Sequence, residues 1–440
     1  MEIIIVGAGI AGLSLALALA RSGHRVLVLE AAPALAEMGA GVQMTPLAMR
    51  YLFRWGMRDD VLDASIVPAE MLVRDGASGD VLAAIPTGTM EERYGGAPYI
   101  VVHRAVLHDL LHRHAIRAGA ELRVDSRVVA YDFAAGAVEL HDGTRLVADL
   151  VLGADGINSF ARRQLLGDAN ADTRPTGLAA VRTMAEVAQM KADPLLADLA
   201  DLETYRSHLW IAPGRSVMAY LIKEATLFNV VLSHPDDIDM SKFTPDEYRA
   251  FAQDLVKGFE PRVRRLIDTL LPKMQNFPVH AVPPLSRWAH ASGRFALVGD
   301  AAHAMAFYLS MGVSMAVEDA ASLIAVLDLA CPAAVKGAAV DHGKLKTALK
   351  AFEEARKERV RIVQDASLHG GRMLHVEDAT KREKVYAAMR ADGLKDADGV
   401  SEATLATESL TYGLADQRVR DWCFAYDPVK VVKVCYEAIA

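Results

Sequence analysis

The sequence predicts an α/β fold: a Rossmann-like parallel-sheet domain, an antiparallel β-sheet domain inserted into it, and a helical C-terminal region. Three features of the 440-residue chain lead there. The N-terminus reads strand, glycine-rich turn, helix, strand. Residues 180–234 alternate apolar and polar positions around Pro213-Gly214, as an antiparallel sheet with one solvated face does. The last 110 residues are highly charged and carry helical periodicity.

The first element is the most informative. An apolar strand, Glu2-Ile3-Ile4-Ile5-Val6, runs into Gly7-Ala8-Gly9-Ile10-Ala11-Gly12. Good helix formers continue from Leu13 to Leu19, and Gly23 sits where the chain must turn. A second strand, Arg25-Val26-Leu27-Val28-Leu29, ends at Glu30, eighteen residues after Gly12. Each part serves dinucleotide binding. Gly7 permits a tight turn, Gly9 leaves the pyrophosphate's path free of a side chain, and Gly12 lets the helix press on the strand. The helix start offers unpaired N–H groups and a positive dipole end to phosphates. Glu30 can accept hydrogen bonds from ribose hydroxyls, and its charge disfavours a 2′-phosphate there. Gly7, Gly9, Ala11, Gly12 and Glu30 are thus candidate contacts for an adenine dinucleotide.

Farther along, residues 103–118 have helical periodicity and stop at Gly119. Strand-like runs follow at Leu122–Val124, Val128–Phe133 and Ala137–Leu140, with a hairpin turn at Asp142-Gly143. Another strand, Leu146–Leu152, enters Gly153-Ala154-Asp155-Gly156. Helical patterns occupy roughly 244–272, where Thr244-Pro245-Asp246-Glu247 signals an N-cap. The nucleotide domain is therefore expected in three pieces, 1–60, 98–178 and 285–330. Residues 61–97 and 179–284 form the substrate-binding sheet domain, and 331–440 the helical region.

Composition narrows the function. A net charge of −8 supplies no basic field for nucleic acid or an anionic membrane surface. No run of about 20 apolar residues reads as membrane-spanning. Three cysteines, Cys331, Cys423 and Cys435, argue against a disulfide framework and fit a reducing compartment. A cytoplasmic protein without stable membrane insertion, monomeric or homodimeric, is expected. His108 and His112 stand at i, i+4, but without a third ligand they read as a wet helix face rather than a metal site.

A second motif adds chemistry. The apolar run Phe295-Ala296-Leu297-Val298 ends in Gly299 and presents Asp300 at its carboxyl end, where open α/β sheets bind ligands. Gly312 and Val313 then open another helix. Asp300 is placed to accept hydrogen bonds from the ribityl chain of a flavin nucleotide. The helix start at Gly312 offers N–H groups to the ring edge that becomes negative on reduction.

With these residues in hand, the chain resembles the single-component FAD-dependent aromatic hydroxylases, flavoprotein monooxygenases of the p-hydroxybenzoate hydroxylase fold. It is most similar to their salicylate hydroxylase and 3-hydroxybenzoate 6-hydroxylase branch. The resemblance rests on Gly7–Gly12, on Gly153-Ala154-Asp155-Gly156 with Asn158, Ser159 and Arg162, and on Gly299-Asp300-Ala301-Ala302-His303. Gly39-Ala40-Gly41-Val42-Gln43 and His103-Arg104-Ala105-Val106-Leu107 agree, and Trp422–Asp427 looks like the tail of fungal relatives. It implies an FAD-binding domain of the glutathione-reductase type. FAD would be bound tightly without a covalent link, contacted by Gly41, Val42, Arg104, Asp155, Gly156, Asp300, Gly312 and Val313 besides the N-terminal set. NAD(P)H would dock transiently, and O2 would supply one oxygen atom to a small aromatic substrate through a flavin C4a-hydroperoxide. His303 is expected to order its loop. The absence of a second Gly-x-Gly-x-x-Gly disfavours the flavin disulfide reductases.

The substrate side departs from the family pattern. Ala304 and Phe307 stand where prolines or a polar residue are usual, Leu47 where Asn is frequent, and Ser216 where hydroxybenzoate enzymes often keep a His four residues before a Tyr. Met44, Met305, Phe307, Tyr308 and Met311 are expected to line a soft apolar pocket. These changes imply a larger or more hydrophobic phenolic or heteroaromatic substrate than salicylate. Candidates for phenolate stabilisation or proton relay are Tyr220, Tyr308, Arg206 and His208. Two other readings stay open: a flavin reductase or dehydrogenase on the same fold that inserts no oxygen, and a flavin-binding interaction module without catalysis.

Overall fold

The computed structural model describes residues 1–35, 40–167, 171–201, 203–222, 224–240, 242–270, 274–332, 340–390 and 413–440. Gly39 lies outside this set. Five parallel strands form the nucleotide sheet, in the order Phe295–Leu297, Leu150–Gly153, Glu2–Val6, Arg25–Leu29, Glu121–Arg123. The helix Ile10–Arg21 is apolar nearly all round, with every residue from Gly12 to Ala20 buried. Its company explains this: it packs against the first two strands and against the helices Arg104–Arg117 and Gly312–Ala330. Val6, Gly153 and Leu297 are side-by-side partners across three strands, so the loops that follow them leave the sheet together.

The expected strand Leu146–Leu152 is in fact two. Arg145–Val147 closes a small antiparallel sheet with Ala137–Leu140 and Val128–Asp132, and Leu150–Gly153 joins the parallel sheet. The break has a local cause. Ala148 N–H donates to the Gly136 carbonyl at 2.9 Å, and the Asp149 carboxylate accepts from Glu2 N–H at 2.7 Å. These two bonds swing the chain from one sheet to the other.

The second large sheet has seven strands, ordered Gln275–Ala281, Arg174–Glu186, Leu227–Pro235, Arg215–Ile222, Arg206–Ala212, Glu70–Asp75, Val81–Ile85. All neighbours are antiparallel except the pair Arg206–Ala212 and Glu70–Asp75. Neither face of its centre is bathed in bulk water, contrary to the expectation of one solvated face. Val217, Ala219, Leu221, Phe228, Val230 and Leu232 pack under the helices Pro245–Leu255 and Pro261–Leu270 through Leu255, Val263, Leu266 and Ile267. The more polar face lines an internal cavity. Thr244 and Glu247 make a reciprocal capping box at the first of these helices. A three-stranded sheet, Gly41–Met44, Ile100–His103 and Ser65–Ile66, joins the two halves.

The C-terminal helix His342–Leu374 packs on Gly312–Ala330 and on Pro428–Ile439. Its charges are not all solvated. Arg356 is fully buried, donating to Asp319 at 2.9 Å and pairing with Glu318. Arg359 reaches Glu318 at 3.0 Å, lies over the rings of Trp422 and Tyr426 at 4.2 and 3.9 Å, and donates to the Trp422 and Cys423 carbonyls. Asp319 also accepts from Gly299 N–H at 2.8 Å and meets His303 Nε2 at 2.6 Å. One buried ionic chain thus ties the turn before Asp300 to the segment Trp422–Tyr426. His303 orders its loop through this chain.

Candidate active site

Between the loops at the carboxyl ends of the parallel strands and the antiparallel sheet lies a cavity of about 350 Å³, lined at one end by the glycine loop and at the other by that sheet. The glycines behave differently. A Cβ on Gly12 would stand 1.9 Å from the Gly7 carbonyl oxygen, and Gly7 has φ +107° with Ala154 O 2.4 Å from where its Cβ would be. These two are fixed by close packing. A Cβ on Gly9 would meet nothing within 4 Å, and Gly9 lines the cavity. Its vacant space faces the start of helix Ile10–Arg21, whose first N–H groups receive no side-chain cap.

The other candidates fall into two groups. Ala11, Gly41, Val42, Arg104, Gly156, Asp300, Gly312 and Val313 line the cavity. Glu30 and Asp155 stand just outside its lining and hold its loops. Glu30 accepts from the N–H groups of Ala8 and Ala32, each at 2.9 Å. Asp155 accepts from the Ser159 hydroxyl at 2.5 Å and from Ala161 N–H at 3.0 Å. Asp300 reaches solvent through the cavity yet is enclosed by protein. That desolvation raises its carboxyl pKa, opposed by His303 and Arg104. The helix Gly312–Ala330, like the first, opens without a side-chain cap.

Two buried residues brace these loops. Arg162 is 1% exposed and donates to the carbonyls of Ile157 and Ala301 at 2.6 and 2.8 Å, stapling the Asp155 loop to the Asp300 turn. A third bond goes to Ala171 O at 2.8 Å. Arg162→Ala is expected to lower stability by about 3 kcal/mol and to weaken FAD retention, checked by thermal unfolding and flavin absorbance. His108 is the other brace. It is buried, and its Nε2 lies 2.7 Å from Ala8 O. This corrects the expectation of a wet helix face: the side chain turns inward to hold the glycine loop. Among the described residues no group of three or more His, Cys, Asp or Glu could hold a metal ion.

On the substrate side, strand alternation decides which residues reach the cavity. Tyr220 and Tyr308 line it; so do Met305 and Phe307. Met44 and Met311 do not, being packed into the core, which corrects that expectation. Arg206 and His208 are also corrected. Strand Arg206–Ala212 turns Leu209 to the cavity and its even-numbered residues away from it. Arg206 pairs with Glu70 at 3.1 Å on the surface. His208 stacks on Trp210, beneath the helices, and burial drives its pKa down to about 3, with Arg74 adding to the effect. Burial raises the pKa of Tyr220 while the neighbouring Arg182 opposes it. Tyr308 is pushed up to about 12 by burial, although Ser233 stands close enough to favour its ionised form.

Several lining residues escaped the sequence reading. Met71, Met218 and Met389 line the chamber together with Val73, Leu374 and Leu414. Arg182 also lines it, has its Nε buried without a partner, and pairs with no carboxylate among the described residues. Asn229 is wholly buried and accepts from Gly41 N–H at 2.9 Å, fixing the loop against the sheet. The stride of Ser216, Met218 and Tyr220 along one strand carries a signal for this face. So does the Gly370-Gly371 pair inside a long helix: a Cβ on Gly371 would stand 2.5 Å from the Tyr308 ring.

Comparison with known proteins decides between the open readings. Residues 1–367 match the family model described as FAD binding domain. The chain belongs to this FAD-binding family. Over 439 residues it is 30% identical to FAD-dependent monooxygenase OpS4 of Beauveria bassiana, covering 98% of this chain and 96% of that one. It is 32% identical to 3-hydroxybenzoate 6-hydroxylase 1 of Aquipseudomonas alcaligenes, over 85% of this chain and 89% of that one. The FAD complex of a Klebsiella pneumoniae HpxO variant superposes with a TM-score of 0.75 at 25% identity, over 95% of this chain and 100% of that one. A salicylate hydroxylase substrate complex shares the fold, with a TM-score of 0.75 at 21% identity over 99% and 98% of the two chains. The protein is an FAD-dependent aromatic monooxygenase that uses NAD(P)H and O2.

The residues present fit the cofactor. The open space over Gly9, two uncapped helix starts and the enclosed carboxyl of Asp300 meet the needs of a pyrophosphate, a ring edge and a polyol. When bound, FAD supplies the electron transfer and oxygen activation that no side chain can. No helix among the described residues is long and apolar enough to cross a membrane.

Proposed function

We propose that this monooxygenase hydroxylates a phenolic or heteroaromatic ring bearing apolar bulk, larger than a simple benzoate. The observation that carries the reading is the chamber beyond the glycine loop, walled by Met71, Val73, Met218, Met305 and Leu374. Methionine walls adapt to a ligand without a fixed polar grip. Ring chemistry of this class is also named for 6-hydroxynicotinate 3-monooxygenase of Bordetella bronchiseptica, 31% identical over 370 residues. In this reading Gly9 and Ala11 receive the pyrophosphate, with Gly7 and Gly12 setting the turn, and Glu30 the ribose. Asp300 holds the ribityl chain, and Gly312 and Val313 the ring edge. Gly41, Val42 and Arg104 complete the cradle, and Asp155 and Gly156 shape the loop shared with NAD(P)H. Arg182 favours negative charge on the substrate, and the chamber walls keep water from the reacting centre.

The domain division at 1–60, 98–178 and 285–330, with 61–97 and 179–284 as the substrate unit and 331–440 as the helical region, belongs to the same reading. The three cysteines are free, which fits a cytoplasmic protein, monomeric or homodimeric.

The test is a panel of phenols, benzoates and N-heterocycles, scored for acceleration of flavin reduction by NADH and by NADPH. Phenols with apolar substituents should bind at least tenfold tighter than salicylate, since two extra buried methylene groups supply about 1.6 kcal/mol. The product should be one oxygen atom heavier, with O2 consumed. Benzoates as the best ligands would sink the chamber reading, and turnover without oxygen in the product would sink hydroxylation itself.

A further inference from the structure

The antiparallel sheet presents one apolar lane to the chamber. Val231, Met218, Leu209 and Val73 are direct cross-strand partners on four adjacent strands, and all four line the cavity. Strands stand roughly 4.8 Å apart, so this row runs about 14 Å across the sheet. It ends beside Met71 and Ile85, which are paired on the last two strands and also line the cavity. The other end lies at the cofactor loops, where Asn229 accepts from Gly41 N–H and the Tyr220 ring stands 2.5 Å from the position of a Cβ on Gly41. The lane therefore leads away from the reacting centre toward the edge of the sheet.

The facing wall comes from three separate segments. Leu374 ends the helix His342–Leu374, and one turn before it Gly370 has nothing within 4 Å of where a Cβ would be. Met389 is buried on the helix Ala379–Arg390, which Tyr386 fixes to the sheet by donating to Ile211 O at 3.1 Å. Leu414 is buried too, and Arg420 pins its segment by donating to the Leu414 and Ala415 carbonyls at 2.5 and 3.0 Å. Of the lining residues given by these segments and by strands Glu70–Asp75 and Val81–Ile85, none carries a polar side chain. The lane is also narrow where it begins. Along strand Arg215–Ile222, Met218 is flanked on the same face by Ser216 and Tyr220, each about 6.7 Å away. A fused ring system would spread over these polar neighbours, whereas an unbranched chain lies along the row.

We propose that the lane holds a single unbranched hydrocarbon chain, saturated or polyene, carried by the aromatic ring that the enzyme hydroxylates. The proposal rests on the aromatic hydroxylation reading above and specifies its apolar bulk. The ring stays at the Tyr220 end, and the chain crosses Met218, Leu209 and Val73 beneath Leu374, Met389 and Leu414. Methionines on both walls let the lane follow the bends of such a chain. These residues sort substrates and take no part in the chemistry.

The probes are 3- and 4-n-alkylphenols from methyl to heptyl, with naphthols and tert-butylphenols as compact controls. Each is titrated into the FAD-loaded enzyme and followed by flavin absorbance. Affinity should rise about three- to fourfold per added methylene until the lane is full. An n-butylphenol should bind about tenfold tighter than its tert-butyl isomer. Met389→Trp, which fills the lane, should leave Kd for methylphenol within about twofold of wild type and weaken heptylphenol about 30-fold or more. Leu414→Trp should do the same from another segment, with retained FAD and an unchanged Tm marking a folded variant. Equal affinity along the alkyl series, tighter binding of the compact controls, or a folded tryptophan variant that takes heptylphenol as well as wild type would overturn the lane. Hydroxylation of short phenols would survive each of those results. A wild-type enzyme that oxygenates no phenol fails the functional reading instead, and the lane's occupant with it.

Discussion

Gly9→Ala should fold as the wild type does and yet emerge from purification without its yellow colour. In the protein alone the added methyl meets nothing within 4 Å, and the backbone at φ −71°, ψ −178° suits alanine. Apoprotein stability should therefore change by no more than about 0.5 kcal/mol. The space is open because the dinucleotide backbone needs it. A methyl group there should weaken FAD binding about 100-fold, equivalent to ~2.7 kcal/mol. Gly12→Ala should fail in the opposite order. Its methyl would stand 1.9 Å from a backbone oxygen of the same loop, which cannot move without breaking the turn. Destabilisation of about 3 kcal/mol or more is expected before any cofactor is added. Thermal unfolding of the two apoproteins, followed by FAD titration, separates the effects. A Gly9→Ala protein that binds FAD with wild-type affinity would remove the pyrophosphate from this loop.

Arg356→Met should destabilise the protein by about 3–5 kcal/mol, because Glu318 and Asp319 would remain buried with half their compensation gone. The mutated side chain is fully buried between those two carboxylates. Burial pushes both carboxyls up, but Arg359 and Arg356 beside Glu318, and His303 and Arg356 beside Asp319, hold them below their ordinary values of 4.5 and 3.8. The sign of the pH effect follows. Folded-state values lie below unfolded ones, so this contribution is complete above about pH 5 and is lost as pH falls through the folded-state values. Wild type should therefore lose stability steeply below about pH 4. Replacing Glu318 and Asp319 by amides together with Arg356→Met should flatten that acid limb, measured by urea unfolding across pH. An unchanged limb would remove the buried carboxylates as its cause.

The nucleotide cradle was legible in the sequence because its physics is local. A tight turn, a close helix–strand approach and an open helix start each demand a residue type at a fixed spacing. Gly7, Gly9 and Gly12 meet those demands within one short segment. The substrate side depends on longer-range facts. Alternation along residues 206–222 marked a sheet, but not that its second face would be roofed by helices at 245–270. Choosing Arg206 and His208 meant choosing the wrong face of one strand, an error of one residue in parity. Met389, Leu414 and His375 reach the site from a region whose charge density reads as solvent-facing. Arg356 and Arg359 look like surface cations in the sequence, because nothing local reveals that two carboxylates on another helix await them.

The ionic chain that joins the Asp300 turn to the tail also sets an order of assembly. Ribosomal synthesis releases Glu318 and Asp319 well before Arg356, and Arg356 well before Trp422 and Tyr426. Until those partners emerge, two carboxylates destined for the interior have no counter-charge, and burying them is strongly unfavourable. Full closure of the cofactor half of the molecule is therefore disfavoured until those cations have been made. Folding of the nucleotide domain is thus expected to finish only once Arg356 and Arg359 are available to it.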